Sequence, residues 1–151
     1  MTVNQIAWRD VKHHFAFDGA WLDVFVLNTD LIVWQRVLHA LAMAGYENEY
    51  FIDSKKAKLP EAAAVIFAQR EERNTLLSIR FSGVLANGYF FTTDEIEFDI
   101  DPREVTGQAQ LNGLLEFMQR LADSAGTDAI LCPENCSRVV LLRVVPNSDS
   151  V

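Results

Sequence analysis

The sequence is short of positive charge: 13 Lys and Arg stand against 21 Asp and Glu, a net charge of −8. Nucleic-acid binding depends on clustered cations that displace phosphate counterions, so no nucleic-acid partner is expected. An acidic surface favours a basic protein partner instead. Cysteine is scarce too. Cys132 and Cys136 stand in LCPENCSR with no second Cys or His pair beside them, which leaves a structural zinc short of ligands and the two residues as plain thiols. The seven glycines are scattered at turns and helix ends, so no glycine-rich phosphate loop exists. Neither G-x-S-x-G nor H-E-x-x-H occurs, and no cofactor is expected. No apolar run reaches membrane-spanning length and MTVNQIAWRD does not read as a signal peptide, so a cytoplasmic location without a membrane partner is the expectation.

Half the residues are apolar, which at 151 residues is enough for one well-packed domain over 1–151, with 147–151 as a flexible tail. Asp18-Gly19 between KHHFAF and AWLDVFVL reads as a hairpin, setting His14 opposite Asp23 and Phe15 opposite Leu22. A helix is predicted from about 30 to 44, capped by Asn28, Thr29 or Asp30 and closed by Gly45, with Leu31, Trp34, Leu38, Leu41 and Ala42 as its core stripe. Its other side carries Ile32, Val33, Ala40, Met43 and Ala44, and a helix apolar almost all round is normally covered on both sides.

Strands follow at about 47–53 and 63–69, and then two long strands around Asn87-Gly88. That hairpin sets Leu77 against Phe98, Ile79 against Ile96, Arg80 against Glu95, Ser78 against Glu97 and Leu76 against Asp99. Asp101-Pro102-Arg103-Glu104 reads as a capped helix start, opening either a short turn or a long helix. An amphipathic helix then runs through Leu111, Leu114, Leu115, Met118, Leu121 and Ala125 to Gly126, followed by two strands around Pro-Glu-Asn. Segments 22–69 and 96–145 share the order strand, helix, strand, strand, a β-α-β-β pseudo-repeat. The fold class is α+β: a large, mainly antiparallel sheet with two helices packed on one face.

TTDEIEFDIDPRE holds Glu95, Glu97, Asp99 and Asp101 at alternate positions. An EF-hand fails on the ligands it would need after Asp99, and carboxylates roughly 7 Å apart along one strand do not hold an ion tightly unaided. With Asp101 as a cap, the other three form a strand face partly neutralised by Arg80. His14 and Asp23 are the nearest approach to an acid–base dyad, although no nucleophile or metal set accompanies them. His13 and His14, adjacent on a strand, would face opposite ways.

Three functional classes remain. The first is a non-enzymatic binding module of bacterial type, immunity- or chaperone-like. It would hold a basic protein, or a second copy of itself as a homodimer, through Glu95, Glu97, Asp99, Ile32, Val33 and Met43. The second is a small-molecule binding or sensing domain with a pocket near Trp21, Trp34 and Tyr46. The third is an enzyme using His14 and Asp23.

Overall fold

A computed structural model describes residues 6–147. The chain opens with a single helical turn, α1 (Trp8–Val11), which runs into a 3-10 turn over Lys12–Phe15. The first expected hairpin is therefore not formed. Asp18 does make a turn, its Oδ1 accepting from Ala20 N at 3.1 Å, with Gly19 at φ +101°. This turn joins a helical segment to a strand. Phe15 is buried from the 3-10 side, its ring 5.5 Å from that of Trp8.

Strand β1 (Leu22–Leu27) leads to α2 (Leu31–Met43), capped by Asp30, whose Oδ1 accepts from Val33 N at 2.9 Å. The helix ends before Gly45, which takes φ +75°. Strands β2 (Glu47–Ile52) and β3 (Lys55–Ala57) form a tight hairpin. The expected strand at 63–69 is a helix, α3 (Ala63–Arg70). Ala63, Ile66 and Phe67 meet the core at helical spacing, and a run this short carries no decisive period.

Strands β4 (Thr75–Phe81) and β5 (Val84–Gly88) turn at Ser82-Gly83, with φ +48° and +79°, and not at Asn87-Gly88. Asn87-Gly88 is the end of β5. Glycine is needed there because a Cβ would lie 2.7 Å from the ring of Phe98, not because of a turn. Strand β6 (Glu95–Ile100) pairs with β5, setting Phe98 opposite Gly88 and Asp99 opposite Asn87. Leu77 and Phe98 do share a row, with Gly88 between them. The inward and outward faces are as expected, but an unforeseen strand separates β4 from β6.

Asp101 caps a short 3-10 turn over Pro102–Glu104, accepting from Arg103 N at 2.9 Å, and the long helix α4 (Gln108–Ala125) begins separately. Gly126, at φ +74°, closes it, and β7 (Ala129–Pro133) and β8 (Leu142–Val144) complete the chain. Asn147, at the start of the expected tail, donates from N and Nδ2 to Asp123; residues 148–151 lie outside the described range.

The eight strands form one antiparallel sheet in the order β3-β2-β4-β5-β6-β1-β7-β8. The fold is thus a single α+β domain. Helices α2 and α4 cover one face and share a core with Val24, Val26, Ile96, Phe98 and Leu131. Trp34, 1% exposed, packs edge-on to Phe67 and donates from Nε1 to Thr92 O at 3.2 Å. Among the described residues no helix is long and apolar enough to cross a membrane.

Candidate functional site on the open face of the sheet

Alternation along each strand puts half the side chains on the face away from the helices. Because β1 lies between β6 and β7, that face gathers residues distant in sequence. One polar row crosses six strands: Glu49 pairs with Ser78, Ser78 with Asn87, Asn87 with Asp99, Asp99 with Asp23 and Asp23 with Cys132. The next row holds Glu97, Phe25, Ile130 and Arg143, and Glu95 pairs with Leu27. Phe25, Ile130 and Cys132 form a small apolar cluster among these acids.

The carboxylates here are not a solvated strand face. Asp23 is 2% exposed, and Glu95, Glu97 and Asp99 are half-buried. Arg80 does not face Glu95. Its strand neighbours are Glu47 and Leu85, and no ion pair of the described residues includes Asp23, Glu95, Glu97 or Asp99. Arg143, at the end of the Glu97 row, is held by Asp128 at 2.7 Å.

Burial without a cation disfavours the charged form. The Glu97 carboxyl is pushed up to about 7, first by burial and then by Asp23, Glu95 and Asp99. Asp99 rises to about 6 by burial, opposed by the Asn87 amide and reinforced by Asp23 and Glu134. One oxygen of Asp99, Oδ1, is buried without a hydrogen-bond partner. Asp23 is also raised by burial, although Asn135 N, in a residue at φ +56°, donates to its Oδ2 at 2.7 Å. Burial, with the Asp23 charge as a lesser cause, lifts the Cys132 thiol to about 11, which makes it a poor nucleophile at neutral pH.

The His14–Asp23 dyad is not formed as a cross-strand pair. His14 lies in the 3-10 turn with its ring centroid 4.0 Å from that of His13 and tilted 43° to it, so these two neighbours lie side by side and do not face opposite ways. The cross-strand neighbours of Asp23 are Asp99 and Cys132. Trp21, Trp34 and Tyr46 do not share a pocket. The cavity beside Tyr46, between sheet and helices, is about 30 Å³, room for a water or two. Trp21 instead lines a surface depression of about 240 Å³ with His13, His14, Asp18 and Glu134. Among the described residues, no three His, Cys, Asp or Glu side chains converge as a metal site would require.

The apolar helix surface lies on the other side of the sheet. Ile32 is 69% and Met43 74% exposed, while Val33 is half-buried against the core. Ile6 and Trp8 do not cover them; they lie at the start of α4, with Gln108 bonded to both Trp8 N and Ile6 O. Glu95, Glu97 and Asp99 are therefore brought together with Asp23, but kept apart from Ile32, Val33 and Met43. Asp23 was legible only as the lone acid in the apolar run WLDVFVL, since its neighbours depend on non-local pairing.

These features define an α+β domain with one helix-covered and one open, acidic sheet face. Comparison with protein-family models, curated proteins and solved structures finds no match.

Proposed function

We propose that the protein is a non-enzymatic binding module that holds a basic protein partner against the open face of its sheet. One observation carries this reading: Asp23, Glu95, Glu97 and Asp99 share that face, and among the described residues no cation pairs with them. Partly buried like charges oppose folding, and perturbed carboxylates of this kind concentrate at functional sites. Lys or Arg from a partner would supply the missing charge, and Arg can bond a carboxylate through two parallel N–H groups. Phe25, Ile130 and Leu27 add apolar contact beside the acids. An immunity- or chaperone-like role fits such a face, because neutralising or escorting a basic protein requires complementarity and no chemistry.

The test uses the intact chain as bait in its native lysate, beside a triple variant Glu95→Gln, Glu97→Gln, Asp99→Asn. Wild type should retain a protein rich in Lys and Arg that elutes as salt rises, since screening weakens exposed charge pairs. The triple variant should lose it. Retention of the same protein by both baits would refute the reading.

A further inference from the structure

Six non-glycine residues of the described chain have positive φ; five are Asn, Asp or Ser, and the sixth is Phe90 at +60°. A bulky residue there is uncommon and needs support from its surroundings. Phe90 is buried, its ring 5.0 Å from Trp34 and 5.7 Å from Phe67. The bend it makes draws its two neighbours together: the rings of Tyr89 and Phe91 stack with centroids 5.4 Å apart and 20° between planes. That is closer than the roughly 7 Å separating alternate residues of an extended strand. Phe91 is 58% exposed, and the Arg70 guanidinium lies 5.7 Å from its ring centre.

Of these three residues only Tyr89 lines the adjoining depression, about 310 Å³, whose other walls are Phe51, Leu76, Thr75, Asn74 and Ser54. No wall residue is charged. Tyr89 stands two residues beyond Asn87, the strand partner of Asp99, so the acidic row begins just beyond this ring, and burial with the Asp99 charge raises its hydroxyl. Two of the neighbouring cations are already paired, Lys56 with Glu49 at 3.3 Å and Arg73 with Asp53 at 3.5 Å.

We propose that this depression receives one arginine side chain of the basic partner, its methylene stem against Phe51 and Leu76, its guanidinium stacked on Tyr89 and directed toward Asp99. The proposal rests on the reading of the open face as the partner surface. The volume is at the lower end of the usual range of about 300–1,000 Å³ for ligand pockets, which suits a single side chain. Arginine is favoured over lysine because its flat, weakly hydrated cation stacks on aromatic faces, as Arg70 already does on the same stack. Asp99 Oδ1, buried and without a hydrogen-bond partner among the described residues, leaves this acid of the row unsatisfied in the free chain.

Calorimetric titration with three peptides, acetyl-Lys-Gly-Xaa-Gly-Lys amide with Xaa as Arg, citrulline or norleucine, tests it against wild type, Tyr89→Phe, Tyr89→Leu and Glu97→Gln. The Arg peptide should bind about tenfold tighter than its neutral citrulline isostere. Tyr89→Leu should weaken the Arg peptide about fivefold, and Tyr89→Phe should preserve its affinity. If Tyr89→Leu loses its circular dichroism signal, Phe51→Ala probes the opposite wall. A norleucine peptide binding as tightly as the Arg peptide would overturn the arginine site. So would unchanged affinity in Tyr89→Leu with all three peptides equally weakened in Glu97→Gln, a result that leaves the acidic-face reading standing. Binding of no peptide by any of the proteins would overturn both.

Discussion

Asp99 and Glu97 sit on the open face with burial on one side and like charge on the other, and their titration has a direct consequence for stability. Both folded values lie above the unfolded ones, from 4.5 to about 7 for Glu97 and from 3.8 to about 6 for Asp99. The folded state therefore holds these protons more tightly, and stability falls as pH rises through roughly 4 to 7. Glu97→Gln and Asp99→Asn should raise the thermal midpoint at pH 8 and leave it nearly unchanged at pH 4. Equal shifts at both pH values would show that the charge is not responsible. Gly88 supports a second residue-scale prediction: an added methyl meets the buried ring of Phe98, so Gly88→Ala should destabilise by about 1–3 kcal/mol in chemical denaturation. The sequence marks this glycine as a turn residue, since Asn-Gly is a strong hairpin signal and the ring that requires it comes ten residues later.

The helices were the most legible elements, because their signals are local. Asp30 and Gly45 bound α2, Gly126 closes α4, and the α4 stripe Leu111, Leu114, Leu115, Met118, Leu121 and Ala125 is buried throughout. In α2 the buried residues are Trp34, Val37, Leu38 and Leu41, while Leu31 and Ala42 are exposed, which rotates the packed face slightly from the expected stripe. Asp30→Ala should cost about 1 kcal/mol by removing the bond to Val33 N. Strand pairing was legible only as inward and outward alternation. Two turn signals compete at 82–83 and 87–88, and β1 takes its neighbours from β6 and β7, so Arg80 lies opposite Glu47 and Leu85 and not the expected Glu95. The exposed side of α2 is opposite the acidic face. Ile32→Glu and Met43→Glu should therefore change stability by less than about 0.5 kcal/mol and leave capture of a basic partner intact. Loss of capture in either would place the partner on the helix side.

On the scale of the whole molecule, the sheet has two chemically different sides. One is closed by α2 and α4 over an apolar core, and the other leaves Asp23, Glu95, Glu97 and Asp99 in a net-acidic chain. That division explains why the acidic row and the apolar helix surface, both visible in the sequence, do not form a single site. On the proposed reading it also links partner binding to pH, because a cation brought to this face would lower the raised carboxyl values and release protons between about pH 6 and 7. The most direct measurement is a carbon-detected NMR titration of the Glu97 and Asp99 carboxyl groups in the free chain and with a saturating Lys- and Arg-rich peptide. The free chain should show midpoints near 7 and 6, and both should fall when the peptide binds. Ordinary midpoints near 4 in the free chain, unmoved by the peptide, would contradict a face held ready for a basic partner.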